Sequence, residues 1–298
     1  MIVKILIVFA WCAAAMALLI VASLLAHRSY RRFLLKSRGL ASSSLPCIEP
    51  ATPLDVLLAP LEKVNPSKSG LKLLLDNTDA YAARKFSADQ AGRSLDLMYY
   101  IWSTDVSGWL LIDALIRAAN RGVRIRLLLD DVNVQGFDRT FLALTQHPLI
   151  EVRLFNPFVA QRGAGKTARF VWAVGDWKRV NHRMHNKLFI ADGAMAVFGG
   201  RNIANEYFLR SAAENFIDVD AFVVGFVVDF ADDLFENVLD RHQTCRAAVL
   251  IDHNGHVELV LEKQLQKLLE SRRLRHINQL SSYGDQVRRP AYLEPHPK

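Results

Sequence analysis

Histidine, lysine and aspartate recur here at a spacing that can do chemistry: His185, Lys187 and Asp192, as His-x-Lys-x-x-x-x-Asp. After six intervening residues Asp192 is followed by Gly199-Gly200-Arg201-Asn202. In an extended segment alternate side chains share a face, which sets His185 and Lys187 about 6.6 Å apart on one side. An imidazole can attack phosphorus or carry a proton, and an ammonium can neutralise a phosphoryl oxygen. Asp192, at the following turn, is suited to orient an imidazole or to stabilise it once protonated. Asn202 follows a Gly-Gly pair, where missing side chains let backbone approach a ligand, and its amide can donate to a phosphoryl oxygen. A lone His-x-Lys means little; the compound pattern points to phosphodiester exchange.

The elements that must hold these groups read as an alternation of strands and helices. Helical patterns cover residues 77–91, 106–120, 137–146 and 227–240, and strand patterns cover 94–102, 123–129 and 150–155. Ser103 or Thr104 is expected to cap the second helix, and Gly122 to close it. Asp130-Asp131 read as solvated carboxylates at a strand end, and Tyr99, Tyr100 and Trp102 as core or cleft wall. Residues 187–190 and 194–198 are two further strands around a turn at Asp192-Gly193, and 218–223 another. This order predicts an α/β fold, a layered αβα sandwich with a mostly parallel sheet. Residues 39–68, rich in Ser and Pro, read as a linker, 69–240 as the catalytic domain, and 241–298 as a helical, then loose, tail.

The N-terminal segment sets the location. Residues 5–26 carry no charge, and as a helix they span roughly 33 Å, enough for a bilayer core. Arg28, Arg31, Arg32, Lys36 and Arg38 follow, against Lys4 alone before. Residues 1–38 are therefore expected to be a single-pass inner-membrane anchor with a basic juxtamembrane segment, the catalytic domain lying on the cytoplasmic side. A cleaved signal peptide fits less well with so thin a basic region ahead of the apolar run. The formal charge of +7 favours anionic partners. The three cysteines, Cys12, Cys47 and Cys245, have no metal or redox spacing.

The stretch 183–192 resembles the HKD motif of the phospholipase D superfamily. The phrases LDLMYYIW, AANRGVRIRLLLDD, EVRLFNP, RMHNKLFIADG and GGRNIANEYF resemble its cardiolipin synthase branch. The resemblance implies a metal-independent, cofactor-free reaction in two steps, through a phosphohistidine. It makes His185 the nucleophile or the acid/base, gives Lys187 the phosphoryl oxygens and Asp192 the tuning of histidine, and makes Asn202 a phosphate ligand. It also marks Glu206 and Asp218 as acidic positions near the substrate.

That branch carries two such motifs, and this sequence holds one. It resembles the N-terminal half of a two-motif enzyme. His296-Pro297-Lys298 repeats His-x-Lys without an Asp to follow. The expected partners are a phospholipid substrate, the membrane, and either a second copy forming a homodimer or a separate half-enzyme that brings the other motif. An inactive truncated half and a single-motif endonuclease are the alternatives. Gly165-Lys166-Thr167 lacks the leading glycine of a P-loop. The Arg-, Lys- and Trp-rich stretch 162–187, with Trp172 and Trp177, suits a lipid interface better than nucleic acid beside an anchor.

Overall fold

The computed structural model describes residues 2–37, 42–45, 51–66, 68–134, 137–158, 179, 181–239 and 244–246. Trp172, Trp177, the 165–167 segment and the expected tail 241–298, apart from 244–246, lie outside the described residues. The chain opens with helix α1 (Ile2–Ser37). Its stretch Ile2–Ala22 has mean hydropathy 2.8, is fully unburied and is long and apolar enough to cross a bilayer by length and composition.

The segment expected as a linker contains a helix, α2 (Pro53–Val64). A capping box starts it: Thr52 Oγ1 accepts from Asp55 N at 3.2 Å, and Asp55 Oδ2 accepts from Thr52 N at 2.7 Å. Pro53 at the first position presets the backbone. Leu54 and Leu58 bury its inner face. The Ser and Pro content that suggested a linker conceals this Thr-Pro-x-Asp start.

The remaining elements are β1 (Ser69–Leu74), α3 (Asn77–Gln90), β2 (Ser94–Tyr99), α4 (Val106–Asn120), β3 (Arg124–Asp130), α5 (Asp138–Leu144), β4 (Ile150–Phe155), β5 (Leu188–Ala191), β6 (Met195–Gly199), β7 (Asp220–Gly225), α6 (Val227–Leu239) and β8 (Thr244–Arg246). Asp105 caps α4, accepting from Gly108 N at 3.0 Å, in place of the expected Ser103 or Thr104. Gly122 leaves the helix at φ +99°, a conformation that other residues adopt only under strain.

The sheet runs β1-β7-β6-β5-β2-β3-β4-β8. It is mixed, which corrects the expectation of a mostly parallel one. Among the described strands only β2–β3 and β3–β4 pair in parallel, across the helices α4 and α5. The other five pairings are antiparallel. The physical reason lies in the connections: a turn as short as the one between β5 and β6 can only reverse the chain, whereas parallel strands need a long crossover.

Strand alternation makes the two layers. Leu95, Leu97, Tyr99, Ile125, Leu127, Leu129, Phe189 and Val197 face the core shared with α2, α3, α4 and α5. Met98, Leu128, Leu188, Ile190, Ala196 and Val223 face the smaller core under α6. Each large apolar side chain buried this way contributes about 1.5–3 kcal/mol. The layered α/β expectation holds. On the α6 face a buried ion network replaces apolar contacts: Arg126 meets Asp96 at 2.6 Å and Glu236 at 2.7 Å. Arg126 also donates to the Ser42 carbonyl at 3.1 Å, which ties the segment after α1 to this face.

The pairing directions bring particular strand ends together. The C-terminal ends of β2, β3, β4 and β6 share one end of the sheet with the N-terminal ends of β5 and β7.

Candidate active site

His185 and Lys187 immediately precede β5 and so stand at that end of the sheet. His185 is exposed, while Lys187 is only 5% exposed. The ammonium curls back onto the imidazole: Lys187 Nζ lies 3.0 Å from His185 Nδ1 and 3.2 Å from Nε2, and donates to the His185 carbonyl at 2.8 Å. The two groups are therefore in contact, closer than the strand rise alone implies. A phosphoryl group arriving here meets imidazole and ammonium at one point.

Asp218 stands just before β7, at the same end, and its charge acts on Lys187. Gly200 makes room for it: a Cβ there would meet Asp218 Oδ1 at 2.0 Å. Gly199 serves its own sheet in the same way, since a Cβ would come within 2.4 Å of the Val219 carbonyl and 2.6 Å of Asp220 Cα. The glycine pair thus admits β7 and the Asp218 carboxylate to the site. Gly199→Ala is expected to lower stability by about 1–3 kcal/mol through overpacking, read from the urea midpoint.

Asp192 is not with them. It lies past the far end of β5, in the turn to β6, with φ 57° and no exposure. Its carboxylate accepts from Gly92 N at 2.9 Å, Arg93 N at 2.7 Å and Ser94 N at 2.9 Å. It therefore pins the start of β2 to the β5–β6 turn. The expectation that it orients His185 is corrected on this geometry: a strand of four residues separates it from Lys187.

Asn202, 2% exposed, uses its side chain within the protein. Oδ1 accepts from Ile101 N at 3.0 Å and Nδ2 donates to the Tyr207 hydroxyl at 2.9 Å. An amide nitrogen carries two hydrogens, so one remains for an oxygen of a ligand. Glu206 sits in the short 3-10 turn Asn205–Tyr207, where its carbonyl accepts from Phe216 N at 2.7 Å. Arg201, between the glycines and Asn202, is a buried brace that donates to the Leu74 carbonyl at 2.9 Å and to Asn77 Oδ1 at 2.7 Å.

Two site residues were hidden in the sequence. Asp130 and Asp131, expected to be solvated, are both 0% exposed. Asp130 ends β3 and accepts from Met184 N at 2.9 Å and Arg183 Nη1 at 3.0 Å, so it holds the backbone that carries His185. Asp131 accepts from Phe158 N at 2.7 Å. A doubled acid after an apolar strand was the available signal, and it reads equally well as a solvated end. Tyr100, read from the sequence as core or cleft wall, is half-buried, and its ring centroid lies 4.8 Å from that of His185.

Electrostatics favour a neutral imidazole. Partial burial, then the Lys187 charge, lower the His185 pKa below its ordinary value, against an opposing pull from Asp130. Burial lowers Lys187 as well, opposed by Asp218. Burial raises Asp130, opposed by Arg183. Lys187→Met removes a cation from beside the imidazole, so the His185 titration is expected to move up toward its ordinary position. Histidine-selective NMR titration checks this. Among the described residues no group of three His, Cys, Asp or Glu side chains is placed to hold a metal ion.

Residues 87–224 match the family described as "Cardiolipin synthase, PLD-like domain". Over 175 residues the chain is 47% identical to "Cardiolipin synthase C" of Escherichia coli (strain K12), covering 58% of this chain and 36% of that protein. Over 194 residues it is 25% identical to "Cardiolipin synthase" of Oceanobacillus iheyensis, covering 65% of this chain and 37% of that one. Among solved structures, "NucT from Helicobacter pylori" aligns with a TM-score of 0.42 and 17% identity, covering 60% of this chain and 98% of that one. The chain spans little more than a third of the length of these two curated relatives. By these sequence matches residues 87–224 are similar to the PLD-like domain of the cardiolipin synthase family.

Proposed function

We propose that this chain supplies one half of a membrane-bound phospholipid phosphodiesterase or phosphatidyltransferase site of the cardiolipin synthase kind. One observation carries the reading: an exposed imidazole, biased toward its neutral form, with an ammonium 3.0 Å from its ring nitrogen. His185 attacks phosphorus and becomes phosphohistidine, while the leaving alcohol takes a proton from a second imidazole. That second imidazole then removes the proton of the incoming alcohol, whose oxygen displaces His185. Lys187 holds the phosphoryl oxygens throughout, and Asn202, through its remaining amide hydrogen, adds a neutral donor. Asp218 balances the Lys187 charge, and Glu206 is assigned to the substrate side by its motif position alone.

The second imidazole comes from a second copy of this chain, or from a separate half carrying the other motif. Exposed apolar side chains support an added surface there: Phe198 and Val219, at this end of the sheet, are exposed, and Ile217 is 93% exposed. The apolar helix α1 and the basic residues behind it support an inner-membrane anchor with residues 69–240 on the cytoplasmic side.

The test uses the full chain in vesicles of phosphatidylglycerol and phosphatidylethanolamine labelled at phosphorus. Labelled cardiolipin or phosphatidic acid, with label trapped on a histidine after acid-free quenching, is the expected result. Cleavage of DNA or RNA without lipid turnover overturns the lipid reading. Neither activity, with no gain on adding a separate half that carries the other motif, leaves an inactive half. Cross-linking in the same vesicles separates a homodimer from a dependence on another chain.

A further inference from the structure

Tyr100 stands out among the groups around His185 because it touches both reactive side chains and no hydrogen bond described here involves its side chain. Its ring centroid is 4.8 Å from the imidazole centroid, the planes tilted by 53°. Lys187 Nζ lies 5.5 Å from the same phenol centroid, within reach of its negative face. Lys187 Nζ, 3.0 and 3.2 Å from the two ring nitrogens, and the phenol both lie against the imidazole ring.

The frame behind Tyr100 is rigid. Its predecessor Tyr99 is fully buried, and the Tyr99 hydroxyl accepts from Arg84 Nε at 2.9 Å. That arginine is itself held by Asp220 at 2.9 Å. Its successor Ile101 donates its backbone N–H to Asn202 Oδ1 at 3.0 Å. Trp102 then bridges to Ile203, and Ser103 N donates to the Ile203 carbonyl at 2.8 Å. Backbone on both sides is thus fixed by buried partners, which leaves the half-buried phenol little freedom to move. A side chain locked by its surroundings can in turn fix the group that it touches.

His185 lacks such a frame. It is exposed and lies outside β5, and what is tied down around it is backbone: Met184 N by Asp130 and its own carbonyl by Lys187 Nζ. An exposed imidazole rotates freely about its two side-chain torsions unless a neighbour stops it. We propose that Tyr100 is the positioning residue of this site: its phenol ring fixes the plane of the His185 imidazole and, with Lys187, decides which ring nitrogen faces phosphorus. The role belongs to the aromatic face, and the hydroxyl is dispensable. The catalytic consequence rests on the reading given under Proposed function; the geometric claim does not.

The experiment uses the full chain in detergent micelles with 15N-labelled histidine, as wild type, Tyr100→Phe and Tyr100→Met. Wild type and Tyr100→Phe are expected to show His185 in one predominant tautomer with the same titration midpoint. Tyr100→Met is expected to show mixed tautomers and a midpoint moved toward that of free histidine. Unchanged His185 signals in Tyr100→Met overturn the proposal. So does a Tyr100→Phe spectrum that differs from wild type, and this variant decides alone if the Met variant does not fold. In the lipid assay Tyr100→Met is expected to lose about a hundredfold in kcat with KM held, as a misaimed reacting group does, and Tyr100→Phe to keep both. A wild-type chain with no lipid turnover refutes the functional reading while the tautomer readout still decides the role of Tyr100.

Discussion

Replacing His185 by alanine is expected to remove lipid turnover by about 10⁴–10⁶-fold, a loss of about 5–8 kcal/mol of transition-state stabilisation. Both roles open to this imidazole, nucleophile and proton carrier, need a ring nitrogen, and no other histidine is described beside Lys187. Stability should hardly change, because the side chain is exposed and substitutions at such positions usually stay within about 0.5 kcal/mol. The expected signature is therefore a folded, membrane-bound protein with the wild-type unfolding midpoint and no product. Retention of more than a tenth of the wild-type rate would place the nucleophile elsewhere. The pH profile adds a second check. A depressed imidazole pKa keeps the neutral, nucleophilic form dominant at pH 7, so the acid limb should fall below the ordinary histidine value of 6.5. In Lys187→Met the same limb should move up.

Asp192→Ala is expected to act in the opposite manner, on stability first. Three backbone N–H groups, of Gly92, Arg93 and Ser94, would lose a buried charged acceptor. Alanine would also have to adopt φ 57° in the turn. Lost charge-assisted bonds and left-handed strain together cost about 3–5 kcal/mol, a large part of the stability of an ordinary domain. Asp192→Asn keeps one acceptor oxygen and tolerates that turn, so it should cost about 1–2 kcal/mol. Urea unfolding of both variants checks the order. Activity per folded molecule, and the His185 titration, should stay at wild-type values in the Asn variant. An Asn variant that is folded yet as inactive as His185→Ala would return Asp192 to the chemistry. The same physical logic makes Arg201 structural: its guanidinium is fully buried among the Leu74 and Leu75 carbonyls and Asn77.

Much was legible in the linear order of residues. Apolar periodicity located α3, α4, β3, β4 and α6, because burial of one face is a local pattern. The turn at Asp192-Gly193 was legible from its residues, and the motif from its spacing. The start of α2 was present as Thr52-Pro53-Leu54-Asp55, yet its Ser and Pro surroundings read as linker.

His185 and Lys187 were determined by the sequence alone, since two residues apart on an extended segment share a face whatever the fold does around them. The apolar length of α1 was determined there too. Tertiary structure alone decided the rest of the site. Five residues along a strand carry Asp192 past its far end, so a neighbour in the motif is not a neighbour in space. Strand pairing, in contrast, brings Tyr100, just past β2, to the imidazole and Asp130 of β3 to the backbone that carries it. Local spacing determines which way a side chain faces, but strand order and register come from long-range burial, and these choose its company.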